Sequence, residues 1–197
     1  MAQVNVEGSL RAYVDALASP TSAPGGGSAA ALAGALGVGL FEMVAGIHAK
    51  RTGDRVDASW SVVRGELLRF VEADAVAFAA VMQARKGQGP DRDERVLAAL
   101  KHAVEIPLGV CAACQRALAA AGPLAEACRL SVGVDLAAGA ELLGAAFRGA
   151  RVMAQVNLRD IPDAGFAETT RDELERLRMA VEADQGRVLA AVRRSLA

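Results

Sequence analysis

The sequence predicts an all-α protein, a multihelical bundle built around one buried helix of small residues. Three observations carry that expectation. The 197 residues are 53% hydrophobic but only 4% aromatic, so the core is made of Ala, Leu and Val rather than large rings, and Ala and Leu are the best helix formers. Apolar residues recur at spacings of three and four, and no stretch alternates with period two over a useful length. From Ser28 to Ile47 the chain is almost wholly Ala, Gly, Leu and Val, with Glu42 its only charge. A helix apolar on every side belongs in the middle of other helices.

Each element follows in order. Val4 to Ala18 reads as a short amphipathic helix with Leu10, Tyr13, Val14 and Leu17 on one face, ended by Ser19-Pro20. Thr21 to Gly27 is a loop, and Pro24-Gly25-Gly26-Gly27-Ser28 is the stretch around which the chain is organised. Three glycines permit φ > 0 and leave no side chain between the main chain and a ligand. Ser28 is the expected cap of the central helix, whose first amides would offer a site for an anion. Within that helix Ala30, Gly34 and Gly37 keep one side slim.

Lys50 to Asp57 is polar and holds Gly53, so a surface turn is expected there. A helix from about Val56 to Arg85 carries the stripe Trp60, Val63, Leu67, Val71, Asp74, Phe78 and Val81 or Met82, and Lys86-Gly87-Gln88-Gly89-Pro90 ends it. Asp91 with Glu94 predicts a capping box for the next helix, which holds Val96, Leu97, Leu100, Val104, Leu108 and Leu118. Pro107 is expected to kink it and Gly122-Pro123 to close it. A second small-residue helix starts at about Leu124 or Leu130 and runs to Val156. After a turn at Ile161 to Gly165, Thr170 with Glu173 predicts a capping box opening a last helix, with Leu174, Leu177, Val181 and Val188 inside. One domain, 1–197, accounts for this length.

Composition also bounds function. A net charge of −1 gives no electrostatic reason to expect nucleic acid or an anionic membrane surface as partner. Met1 to Leu10 lacks a signal-peptide pattern, and three cysteines without a secretory signal fit reduced thiols in the cytoplasm. The run from Ala23 to Ile47 is long enough to span a membrane. Its Ala and Gly contribute little transfer energy, however, and Glu42, the opening glycines and the missing aromatic belts favour a buried soluble helix.

Asp74 is the most informative side chain, because it stands where the stripe of Leu67, Val71 and Phe78 asks for an apolar residue. A carboxylate buried there must be paired or have a raised pKa, which suits a general acid or base near neutrality. The competing reading is a structural carboxylate bonded to a helix terminus or an arginine. Glu42 and Asp135 are lone carboxylates in uncharged runs, able to orient a ligand's amino groups or to pair with Arg51, Arg64, Arg148 or Arg151. The ion pair is the favoured reading for Glu42. Cys111 and Cys114 have the spacing of a redox or zinc half-site, but no second pair of ligands completes it, and they fall in mid-helix. Thiols packed in an Ala-rich helix are expected, with no metal. His102, beside Lys101 and Glu105, reads as solvated, whereas His48 ends the central helix beside Lys50 and Arg51. The glycine triplet is no nucleotide fingerprint, since no strand precedes it.

The chain resembles the cyclodeaminase/cyclohydrolase family of folate enzymes. The resemblance rests on Ser19-Pro20 and the run Pro24 to Gly37, then Glu42-Met43-Val44-Ala45, then Asp74 to Phe78 with Val81-Met82 and Ala84. It continues in Ala103 to Leu108, Asp135 to Ala138, Val156-Asn157-Leu158, Asp163 and Phe166, in the family's order. It implies an all-α homodimer or larger assembly that opens or closes the one-carbon bridge between N5 and N10 of tetrahydrofolate, without metal or other cofactor. By the same resemblance Asp74 is the expected catalytic carboxylate and Asp135 the second. Pro24, Gly25, Gly26, Gly27 and Ser28 would receive part of the pteroyl-glutamate, Lys50 and Arg51 its carboxylates, and His48 and Asn157 would also line the site. The chain departs from the family at Gly46, His48, Val134 and Met153. Those departures leave a second reading open, a non-catalytic or retuned binder of a folate-like small molecule.

Overall fold

A computed structural model describes residues 6–54 and 59–194, so Val4, Val56 and Asp57 of the expected elements lie outside the described residues. The described residues form six α-helices and no strand: α1 (Leu10–Leu17), α2 (Gly26–Thr52), α3 (Trp60–Lys86), α4 (Arg92–Ala127), α5 (Leu130–Asn157) and α6 (Ala164–Arg194). Helices α2 to α5 run up, down, up, down. Side-chain neighbours fix that order: Gly34 meets Leu67, Trp60 Nε1 donates to Ala117 O, and Cys111 Sγ lies 3.7 Å from Phe147 O. Helix α6 packs against α4 and α5, and α1 leans on the outside through Tyr13. The core among them includes Val38, Phe41, Leu67, Leu118, Leu143 and Phe147.

Small residues let α2 and α5 approach each other. A methyl group on Gly37 would stand 2.8 Å from Gly139 O and 2.9 Å from Leu143 Cγ. Overpacking of this kind costs roughly 1–3 kcal/mol, more than the ~1 kcal/mol by which Ala exceeds Gly in a helix. Gly37→Ala is therefore expected to lower the urea midpoint. Gly186→Ala, where nothing lies within 4 Å of the added methyl, is expected to raise it.

Four expectations need correction. Helix α2 starts at Gly26 with Gly25 as N-cap, so Ser28 lies inside the first turn, and neither the triplet nor any non-glycine residue described has positive φ. Helix α4 continues through Pro123 to Ala127, so Gly122-Pro123 does not close it. It begins after Asp91 as expected, but the Asp91 side chain makes no capping bond and is 3.5 Å from Arg95 instead. Helix α6 begins six residues before Thr170, which is buried and donates to Phe166 O, while Asp163 Oδ1 accepts the Phe166 N–H and does the capping.

Helix α2 is also less enclosed than its composition implies. It packs on α3, α4 and α5, but Leu36 is 55% exposed and Met43 also faces outward. An apolar groove of ≈ 500 Å³ runs along this face, lined by Leu32, Leu36, Gly39, Leu40, Leu68 and Leu142. Helices α2 and α4 are long and apolar enough to cross a membrane by length and composition alone. Helix α1 is amphipathic as expected, yet Leu10 is 68% exposed and none of its residues is buried.

Candidate active site

The unusual features of the sequence meet at one end of the bundle. Helix α3 presents a continuous buried stripe, Trp60, Val63, Leu67 and Val71, until Asp74 interrupts it. There the carboxylate reaches the first turn of α2, where the Ser28 N–H donates to Asp74 Oδ2 at 3.0 Å. Asp74 thus does for α2 what a capping side chain would do, satisfying one of the amides that a helix start leaves unpaired. Gly27 makes room for it. A methyl on Gly27 would lie 2.7 Å from Asp74 Cγ and 3.0 Å from Oδ2. Gly27 therefore serves close approach of a carboxylate rather than left-handed backbone, and the expected anion site at this helix start is already occupied by that carboxyl group.

Burial pushes the Asp74 carboxyl above its ordinary pKa, and the Ser28 N–H partly offsets that rise. Behind it, the Ser28 hydroxyl is fully buried and shares a 2.9 Å hydrogen bond with the Tyr13 phenol, the only tyrosine in the chain. Burial, and then the nearby Asp74 charge, raise the Tyr13 pKa against the lowering effect of Ser28. Both readings of Asp74 are met by one geometry: it bonds a helix terminus, and its pKa is raised in a cleft.

The cleft has a volume of ≈ 380 Å³. Gly25, Gly26, Gly27 and Asp74 form its inner end, and Phe78, Val81, Met82, Leu100 and Val156 form apolar walls. Arg85, Arg159 and Asp160 stand at its other end. Phe78 was expected in the core stripe and instead lines the cleft, 40% exposed. Asn157 is also in the wall, where its Nδ2 donates to Ala103 O at 2.7 Å. That carbonyl lies four residues before Pro107, which has no N–H to give it. The internal proline and Asn157 are thus one device, a proline-freed carbonyl held by a side chain from the next helix.

Other sequence candidates lie elsewhere. His48 is 20 residues beyond Ser28 on α2, about 30 Å along its axis, with Lys50 and Arg51 farther still. Asp135 is 22 residues before Asn157 on antiparallel α5, about 33 Å away. His48, Lys50, Arg51 and Asp135 therefore share the opposite end of the bundle and do not meet Asp74 within one chain. Pro24 adjoins the inner end of the cleft through Ala23 and Gly25. Glu42 accepts from Arg64 Nε at 3.1 Å, the ion pair expected for it. Cys111 and Cys114 are buried free thiols, and burial pushes Cys111 up to about 12 and Cys114 higher still, which removes the thiolate that redox or zinc chemistry needs. Among the described residues no three His, Cys, Asp or Glu side chains gather as a metal site. His102 is exposed beside Glu105, at 3.3 Å.

Tyr13, Arg85 and Arg159 were not singled out from sequence. Tyr13 read as part of an apolar face, and arginines at helix ends read as solvated charge.

Fold and site together define an all-helical bundle whose ligand cleft, at one end, is headed by a half-buried carboxylate. The chain belongs to the formiminotransferase-cyclodeaminase family, whose model matches residues 9–176. It is 32% identical to the formimidoyltransferase-cyclodeaminase of Rattus norvegicus over 95% of this chain and 37% of that protein, so it spans just over a third of that relative's length. It is 33% identical to the methenyltetrahydrofolate cyclohydrolase of Methylorubrum extorquens, over 85% of this chain and 88% of the relative. The crystal structure of formiminotetrahydrofolate cyclodeaminase from Thermotoga maritima superposes with a TM-score of 0.88 at 26% identity, covering 98% of this chain and 100% of that one.

Proposed function

We propose that this protein is a cytoplasmic enzyme of folate one-carbon metabolism, acting on the bridge between N5 and N10 of tetrahydrofolate without metal or other cofactor. Its reaction is hydrolysis of the 5,10-methenyl form to 10-formyltetrahydrofolate, or cyclodeamination of the 5-formimino form. The observation that carries this reading is Asp74, a carboxylate of raised pKa at the inner end of a cleft whose middle walls are apolar. In hydrolysis, water adds to the cationic methenyl carbon while Asp74 takes one of its protons. As the C–N5 bond breaks, N5 takes the proton held by Asp74, the hydroxyl on the tetrahedral carbon loses its proton to solvent, and the resulting formyl group stays on N10. In cyclodeamination N10 attacks the formimino carbon, its proton passes through Asp74, and the protonated amino group leaves as ammonia. Both paths pass through a cation that a nearby carboxylate stabilises. Asp74 serves as the acid–base, Gly25 to Gly27 give the ligand room, and Asn157 holds the wall.

Of the four departures from the family pattern only Met153 lines this cleft, 3.6 Å from where a side chain on Gly26 would begin. Gly46, His48 and Val134 lie at the far end, which favours a working enzyme over a binder. The test is turnover of methenyltetrahydrofolate, read as loss of its near-ultraviolet absorbance above the uncatalysed rate, beside ammonia release from formiminotetrahydrofolate. Catalysis of either supports the reading; binding of both without turnover supports the retuned binder.

The same reading includes a homodimer. The occupant of the groove along α2 is a second copy of α2: Leu36 and Met43 stand exposed beside the groove that Leu32, Leu40 and Leu142 line, and Gly39 at mid-helix has nothing within 4 Å and admits an identical helix closely. Two such faces are self-complementary about a two-fold axis. Leu36→Glu is expected to yield a folded monomer by light scattering at micromolar concentration; a variant that stays dimeric places the interface elsewhere.

A further inference from the structure

We propose that Arg85 and Arg159, at the mouth of the cleft, are specificity-determining residues that receive the carboxylates of the substrate's p-aminobenzoyl-glutamate tail and so hold the substrate in the cleft that Asp74 heads. The inference rests on the folate reading and deepens it. Arg85 lies 11 residues after Asp74 on α3, about three turns and ~16 Å on, along the same face. Phe78 and Met82 fill the interval on that face, and Leu100 and Val156 oppose them, so the middle of the cleft suits an aromatic ring and neither end does. Asp74 is the negative inner end. Arg85 and Arg159 are the positive outer end, with Asp160 their only acidic neighbour among the described residues that line the cleft. A methenyl or formimino folate has the reverse polarity, cationic at its bridge, aromatic in the middle and anionic at its tail. The cleft is its electrostatic complement.

The two guanidinium groups are placed to act. Arg85 is held by Asp160 at 2.5 Å, both partly exposed, so a pair at the surface is exchanged readily for a carboxylate from the ligand. Arg159, exposed in the short turn Leu158–Asp160 after α5, makes no ion pair among the described residues. A guanidinium fork binds a carboxylate in two parallel hydrogen bonds. Lys50 and Arg51, the cations that the family resemblance suggested for this role, are at the other end of α2.

The experiment compares methenyltetrahydrofolate, its triglutamate and the tail-less methenyltetrahydropteroate in wild type, Arg85→Ala and Arg159→Ala. Loss of one charge-assisted pair is worth about tenfold. Each variant should raise KM for the glutamylated substrates about tenfold with little change in kcat, and the wild-type preference for glutamylated over tail-less substrate should collapse. Asp160→Asn, which frees Arg85, should lower KM. Preference undiminished in both arginine variants overturns the proposal while leaving the folate reading intact. Binding of p-aminobenzoyl-triglutamate, which has no one-carbon bridge, is measured alongside by calorimetry. Binding lost in Arg159→Ala supports the tail site even if no folate is turned over, and no binding to wild type overturns it.

Discussion

Asp74→Asn lowers kcat for opening the methenyl bridge by about 10²–10⁴-fold, the range over which a positioned acid–base group acts. The substitution is nearly isosteric. The amide oxygen of Asn still accepts the Ser28 N–H that Asp74 Oδ2 accepts at 3.0 Å, so the first turn of α2 keeps its cap. What disappears is the proton acceptor and the negative charge facing the cation. Stability should move the other way. Burial raises the folded pKa of Asp74 above its ordinary 3.8, so between those values the native state binds the proton more tightly than the unfolded chain. The stability this group contributes is complete at pH below 3.8 and is lost as pH rises through the folded pKa. Above that folded pKa the wild type carries a half-buried charge that the Asn variant does not, so there the inactive variant should unfold at an equal or higher urea concentration. A fall in both activity and stability would mark Asp74 as structural.

Gly27→Ala should be as damaging to turnover, at least about 10²-fold, by displacing that same carboxylate. In an ordinary helix the change is favourable by ~1 kcal/mol. Here the methyl would stand 2.7 Å from Asp74 Cγ, inside van der Waals contact. Either Asp74 turns away and abandons Ser28, or α2 and α3 move apart, at roughly 1–3 kcal/mol. A double-mutant cycle separates these effects. In an Asp74→Ala background the methyl meets no carboxylate, so Gly27→Ala should cost little further stability, and the coupling should be 0.5 kcal/mol or more, as for residues in contact. Gly26→Ala is the control for stability, since its methyl meets only Met153 at an ordinary 3.6 Å.

The helices were legible because α3, α4 and α6 announce themselves by three-and-four spacing and α2 and α5 by uncharged runs of small residues, and the boundaries failed where long-range partners decide them. Asp163 caps α6, although Thr170 with Glu173 had the better local pattern. Pro123 does not end α4. Its neighbours in α4, Leu124 and Ala125, are buried in the core. Asp74 was legible as an apolar stripe broken by one carboxylate. The glycine triplet was legible as special but not for its reason, because the group that needs the space at Gly27 comes from 46 residues beyond Ser28. Local context and family pattern point to His48, Lys50, Arg51 and Asp135. Helix length alone separates them from Asp74, and only the antiparallel pairing of α2 and α5 shows which end each occupies. Arg85 and Arg159 carried no local signal, as their meaning comes from the cleft they rim.

The measurement that meets the central claim most directly is the pH dependence of kcat/KM for methenyltetrahydrofolate, corrected for uncatalysed hydrolysis, in wild type and Asp74→Asn. With Asp74 as the proton acceptor, wild-type kcat/KM rises with pH through an inflection above the ordinary carboxylate value of 3.8, and the variant retains a small rate without that inflection. A wild-type profile whose inflection survives in Asp74→Asn, or a variant as active as wild type, would contradict the account and move the chemistry away from this end of the bundle.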